Sequence, residues 1–273
     1  MKSKKSIFAS VPYLIWMAIF ILVPLVMVLF FAFTSRNGGF TFDNILGIGK
    51  YAHVFLKSIN LSVVATLICL ILAFPISYMM SRMSEVAQRT MLMLLMLPMW
   101  MSFLLRTYAW MTLLEREGLI NKFLGLFGLG PFNMINTQGA IVLGMVYNFL
   151  PFMIMPLHSI MVKIDKSVIE AAQDLGANSF HVLLRVLIPL SLPGIITGIT
   201  MVFVPSVSTF IISRMLGGGK HMLIGDLIEQ QFLGSVYNPN VGSAMSLILM
   251  VIILIIMGVI NHFDDEEMEG MLV

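Results

Sequence analysis

The chain has 273 residues, 59% hydrophobic and only 11% charged, with a formal net charge of +2. Soluble domains carry roughly 25% charged residues, so this composition excludes a soluble globular protein and indicates a membrane protein. The small, dispersed charge leaves no footprint for nucleic acid, and the single cysteine, Cys69, excludes an intramolecular disulfide and a cysteine metal cluster.

Lys2, Lys4 and Lys5 precede an apolar run from Val11 to Phe33. A spanning helix needs about 20 residues, which this run supplies. It is too long for a signal-peptide core and shows no small-residue cleavage site, so it reads as an uncleaved first span. The lysines should hold the N-terminus in the cytoplasm. Residues 35–59 are polar and Gly-rich and read as an external loop. The second span is expected at 61–80, with Pro75 as a kink, followed by a short cytoplasmic loop bearing Arg82, Glu85 and Arg89. The third span, 91–114, contains Pro98, Trp100, Arg106, Tyr108 and Trp110. Its aromatic pair suits the outer interface. Arg106 is costly in lipid unless it is buried in a bundle or snorkels, and snorkelling is the expectation. The fourth span, 140–161, carries Pro151 and Pro156.

Between the fourth and fifth spans lies a polar island, 163–185, that reads as helix, break, helix. Ser167 and Glu170 have the spacing of a capping box. Ala171, Ala172 and Leu175 form a small apolar face, and Gly176 can take the left-handed conformation that closes a helix. Asn178 or Ser179 can cap the second limb. A projecting helical hairpin with a small-residue face suits docking in a groove of another protein. The fifth span, 186–212, holds Gly194 and Gly198, a small-xxx-small pair that permits close helix contact. Residues 213–243 read as external and partly helical. The sixth span is 244–260, and the acidic tail from Asp264 to Glu269 reads as a solvated end. The fold class expected is therefore an all-α membrane protein of six transmembrane helices, a single domain over 1–273, with both termini cytoplasmic. The 25 Met and 20 Phe are expected to pack or face lipid rather than form a ligand site.

The orientation rests on the N-terminal lysines and on parity. Eight Lys/Arg fall in segments assigned to the cytoplasm and seven in segments assigned outside, so the positive-inside balance is nearly tied. The glycines of Gly217–Lys220 do not make a phosphate loop: Arg214 stands where Gly is needed and His221 where Ser or Thr is needed. The five His have no metal-ligand spacing, and no catalytic triad is implied. No cofactor, metal site or enzymatic activity is expected. No Asp or Glu lies inside an expected span, which argues against ion-coupled transport. The energy for transport would then come from a partner.

The hairpin resembles the EAA motif of ABC-importer permeases. Glu170-Ala171-Ala172, Gly176 and Val186-x-Ile188-Pro189 stand at the motif's spacing, with Val and Ile in place of Ile and Leu. Residues 97–110, 144–177 and 215–233 further resemble the B-type permeases of spermidine/putrescine importers, and the similarity runs through nearly the whole chain after residue 40. The resemblance implies a type I ABC-importer permease in the bacterial plasma membrane. It implies three partners besides the bilayer lipid: an ABC ATPase dimer that hydrolyses the ATP, a second and different permease, and an extracytoplasmic polyamine-binding protein. It assigns ATPase coupling to Glu170, Ala171, Ala172, Asp174 and Gly176. A polycation also needs carboxylates and aromatic faces along its path. The candidates are Trp100, Tyr108, Trp110, Tyr147, Asp226 and Glu229, the last two on one face if their segment is helical. Interfacial anchoring for the aromatics and a solvated helix face for the acids are the plainer roles. Alternative functions are a permease of this fold for another solute, and a membrane scaffold that transports nothing.

Overall fold

The computed structural model describes residues 11–35, 38–234 and 236–271, with side chains to residue 260. Lys2, Lys4, Lys5 and Arg36 lie outside the described residues, as do the side chains of the acidic tail. In chain order the helices are α1 (Val11–Ala32), α2 (Ala52–Ser81), α3 (Glu85–Met96), α4 (Phe103–Leu114) and α5 (Leu119–Gly125). There follow α6 (Gln138–Met161), α7 (Lys166–Asp174), α8 (Ser179–Leu190) and α9 (Leu192–Ser208). The last are α10 (Ile211–Leu216), α11 (Ile224–Leu233) and α12 (Pro239–Met271). Among the described residues, four helices are long and apolar enough to cross a membrane alone, and there are up to six spans if each of two bent pairs counts as one.

The chain divides into two compact units. The first joins the described part of Met1–His53 to Leu227–Leu254. In it, α1 widens to a π-helix at Ala18–Leu22, just before Pro24. Proline has no N–H and its ring collides with the carbonyl four residues back, and a π-turn relieves that collision. The end of α1 leaves carbonyls without helical partners. Two amides take them up: Asn44 Nδ2 donates to Ala32 O and Thr34 O, and Asn240 Nδ2 donates to Phe31 O and Thr34 O.

The second unit joins Val54–Asp226 to the described part of Ile255–Val273. Its core is α6, where Ile141, Met145, Met153, Ile154, Leu157 and Met161 are all fully buried. The sulfur side chains fill the irregular space between helices, as an unbranched thioether can. α2 runs parallel to α6. Cys69 Sγ approaches Val146 O at 3.9 Å and Ser77 Oγ donates to Ile154 O at 3.2 Å, and both pairs are separated by the same 77 residues. α9 runs antiparallel to α6, with Gly198 against Met153 and Gly194 against Pro156 and Ile160. The small-xxx-small pair is therefore a helix–helix contact. A Cβ on Gly194 would stand 3.0 Å from the Pro156 carbonyl.

Two expected spans are broken. The third does not run as one helix over 91–114: α3 passes into a 3₁₀ turn at Leu97–Trp100, and the chain bends by 88° before α4. Pro98 removes a backbone donor, and Met101 and Ser102 are extended. The fifth does not run unbroken over 186–212. α8 contains a π-helix at Leu183–Leu187, the axis turns by 70° at Ser191, and α9 ends at Ser208. Pro189 and Pro193 flank that corner. The second helix also begins earlier than residue 61, since α2 starts at Ala52.

Candidate coupling hairpin and translocation path

The hairpin consists of α7 and α8. Asp165, not Ser167, caps α7: the helix begins at Lys166, Asp165 is extended, and its Oδ1 accepts the Ser167 N–H at 3.0 Å. Ser167 thus lies within the first turn, so the Ser167–Glu170 capping box does not form. The Ser167 N–H and then the Ser167 hydroxyl hold the Asp165 carboxyl below its ordinary pKa, with the Lys166 N–H and the Arg82 charge adding to them.

α7 closes as a Schellman motif. The Ala177 N–H donates to Ala172 O at 3.1 Å and the Gly176 N–H to Gln173 O at 2.8 Å. Gly176 sits at φ +85°, as this closure requires. A side chain there would meet no atom within 4 Å, so conformation rather than space demands glycine. Asn178 caps α8, its Oδ1 accepting the His181 N–H at 2.9 Å. Between the limbs, Ile164, Ile169, Val182 and Leu187 form a small core, with Phe74 and Tyr78 of α2 packed against it. Ala172 is half-buried there, whereas Glu170, Ala171, Asp174 and Gly176 are exposed. Leu175, at the tip, is 90% exposed. The hairpin therefore presents an acidic and small-residue face with one bare leucine, on a base fixed by α2.

The aromatic candidates separate. Trp110 of α4 and Tyr147 of α6 meet edge to face, ring centroids 5.3 Å apart. That contact unites two residues 37 positions apart in the chain, which no local pattern announces. Trp100, on the 3₁₀ turn, and Tyr108 are both largely exposed. Beside Tyr147 lies an open apolar groove of about 620 Å³, walled by Val64 and Ile68 of α2 and Leu143 and Leu150 of α6.

Asp226 is buried at 3% exposure, so it does not lie on a solvated helix face. Its Oδ2 accepts the Leu223 N–H at 2.8 Å, closing the start of α11, and the next donor, Ile224 N–H, goes to Ser58 Oγ. Burial raises the Asp226 pKa, opposed by the Leu223 N–H, the Ser213 hydroxyl and the Arg214 charge. Glu229, three residues on, is half-buried. Arg106 departs from the snorkelling expectation. It is 8% exposed, its guanidinium lies 5.8 Å from the Phe103 ring, and its Nε has no hydrogen-bond partner among the described residues. Among the described residues no cluster of three or more His, Cys, Asp or Glu could hold a metal ion.

Comparison with known proteins gives the family and the fold. Residues 65–266 match the family described as binding-protein-dependent transport system inner membrane component. The chain is 37% identical over 267 residues to the spermidine/putrescine transport system permease protein PotB of Haemophilus influenzae, covering 93% of each. It is 35% identical over 247 residues to the PotB of Escherichia coli K12, covering 87% of this chain and 90% of that one. In structure it resembles a chain of a bacterial ABC transporter involved in importing the acidic polysaccharide alginate. The TM-score is 0.79 at 17% identity, over 97% of this chain and 96% of that one. A second structure of an alginate ABC transporter, in complex with an alginate pentasaccharide-bound periplasmic protein, matches with a TM-score of 0.78.

Proposed function

The chain belongs to the family of binding-protein-dependent transport system inner membrane components, and on that premise we propose that it is the transmembrane permease subunit of an ATP-driven polyamine importer. It is a multi-pass plasma-membrane protein of the ABC-importer permease fold. One observation carries the substrate: identity of 35–37% over about nine-tenths of this chain and of two spermidine/putrescine permeases.

In this reading the hairpin faces the cytoplasm and docks on an ABC ATPase dimer through Glu170, Ala171, Ala172, Asp174 and Gly176. Nucleotide binding closes the dimer, and the hairpin passes the movement to the helices that carry it. A second, different permease completes the pathway, and an external binding protein delivers spermidine or putrescine. Trp110 and Tyr147 offer ring faces to an ammonium group along the path. Trp100, Tyr108 and Glu229 extend it, and Asp226 acts by fixing α11. The buried Arg106 is the one intramembrane cation of α4, and its charge disfavours any resting position of a polycation beside it.

The test is uptake of radiolabelled spermidine and putrescine by the reconstituted complex with its binding protein, with and without ATP. ATP-dependent accumulation of either is expected. Transport of a different solute, with neither polyamine carried, would remove the substrate and leave the permease.

A further inference from the structure

The hairpin is held not only by the helices that precede and follow it in the chain. Arg82, one residue beyond the end of α2, reaches its root: Nη1 donates to the carbonyl of Ile164 at 3.2 Å. Ile164 immediately precedes Asp165, the cap of α7. The guanidinium carbon lies 5.3 Å from the centroid of the Tyr78 ring, one turn back on α2. Tyr78 itself packs against the hairpin core, next to Phe74. Arg82 Nε and Nη2 are shut off from water and have no acceptor among the described residues. Two of the three nitrogens of this half-buried group are therefore shielded, and the ring and one carbonyl hold it in place. A buried donor without an acceptor costs stability, so stabilising the fold does not account for this arrangement, whereas fixing a geometry does.

We infer that Arg82 is a positioning residue that clamps the root of the coupling hairpin to α2, making α2 a third limb through which hairpin movement enters the bundle. A guanidinium suits the task. Its planar donor fork fixes direction at the carbonyl while its face stacks on the tyrosine. α2 in turn lies parallel to α6 along the buried seam through Cys69 and Ser77. A displacement at Ile164 is thus delivered to two neighbouring helices together. Without the clamp, α7 is tied to the bundle through its own chain connections and the small apolar core alone.

The inference rests on the importer reading, and its test has one arm that does not. In the full-length permease in lipid nanodiscs, Arg82→Ala should speed amide hydrogen exchange across 165–174 by about five- to ten-fold, with exchange in α6 unchanged. In the reconstituted complex with its binding protein, the variant should hydrolyse ATP near the parent rate while solute imported per ATP falls by a similar factor. Arg82→Lys, which keeps the charge and one donor, should recover part of that ratio. Thermal stability is not the readout, because removing Arg82 also removes its unsatisfied donors. Should Arg82→Ala fail to assemble, Arg82→Gln and Tyr78→Leu take its place, and both must speed hairpin exchange. Parental exchange rates in the variants, or an unchanged import-to-hydrolysis ratio in an intact complex, would overturn the clamp. A parent complex that imports nothing with ATP would instead overturn the importer reading and leave the exchange result standing.

Discussion

Gly176 shows how a single residue sets the form of the hairpin. Its φ of +85° lets the Ala177 and Gly176 N–H groups turn back onto α7, and open space around it means that only backbone conformation opposes a side chain. An L-residue in that region costs about 1–2 kcal/mol, with Asn penalised least. Gly176→Val should therefore fray the end of α7 and lower polyamine uptake while ATPase assembly persists; Gly176→Asn should come closer to the parent. Uptake measured beside copurification of the ATPase decides it, and unchanged uptake in an assembled Gly176→Val complex would refute the role. Asp165 makes a pH prediction at the same end of the hairpin. Its folded pKa lies below the ordinary 3.8, chiefly through the Ser167 N–H. The stability it confers is then complete above about pH 3.8 and is lost as pH falls through the lower folded value. Protection from hydrogen exchange at the start of α7, taken relative to the intrinsic rate at each pH, should fall over that acid range in the parent, and Asp165→Asn should abolish that fall.

At the scale of helices, the contact between α6 and α9 rests on absent side chains. Gly194 faces the rigid Pro156 carbonyl, whereas Gly198 faces the flexible end of Met153. Overpacking costs about 1–3 kcal/mol when neighbours cannot move and less when they can. Gly194→Ala should thus lower the unfolding temperature of the permease more than Gly198→Ala, as measured by a thermal shift in detergent. Equal shifts would show that the Met153 thioether is no freer than the backbone. The positions of apolar spans were legible in the sequence because hydropathy accumulates over some 20 residues. Gly176 was legible, and the second cap was narrowed to Asn178 or Ser179, because left-handed closure and capping need particular residue types. The breaks were not. Pro75, Pro98 and Pro151 are alike in sequence, yet Pro75 and Pro151 sit inside continuous helices while a bend of 88° follows Pro98. What surrounds each proline decides between a tolerated kink and a corner. The choice of Asp165 over Ser167 as cap escaped for a related reason: both are good caps, and the start of the helix, set by packing of Ile164 and Ile169, selects one.

Over the whole molecule, the parallel run of α2 and α6 fixes their relation to each other but not which end meets the cytoplasm. Alternating spans make the second and fourth parallel in either orientation, and the positive charges are nearly balanced between the two sides. The coupling reading breaks that tie, because a hairpin that follows ATP must lie where ATP is. It also supplies a direct probe. Leu175 stands at the hairpin tip with 90% exposure, and the single cysteine, Cys69, is fully buried between α2 and α6. A membrane-impermeant maleimide should therefore leave the parent unlabelled and find a Leu175→Cys variant readily. Tyr237→Cys, in the exposed segment after α11 that the sequence reading assigns to the outside, serves as the counterpart. With the plasma membrane sealed and its outer face open to reagent, Tyr237→Cys should label and Leu175→Cys should not; inverted vesicles should reverse the pattern. Adding the ATPase to inverted vesicles should then shield Leu175→Cys, since the proposed docking places the bare leucine against the ATPase. Labelling of Leu175→Cys from outside would turn the protein over and separate the hairpin from any cytoplasmic motor.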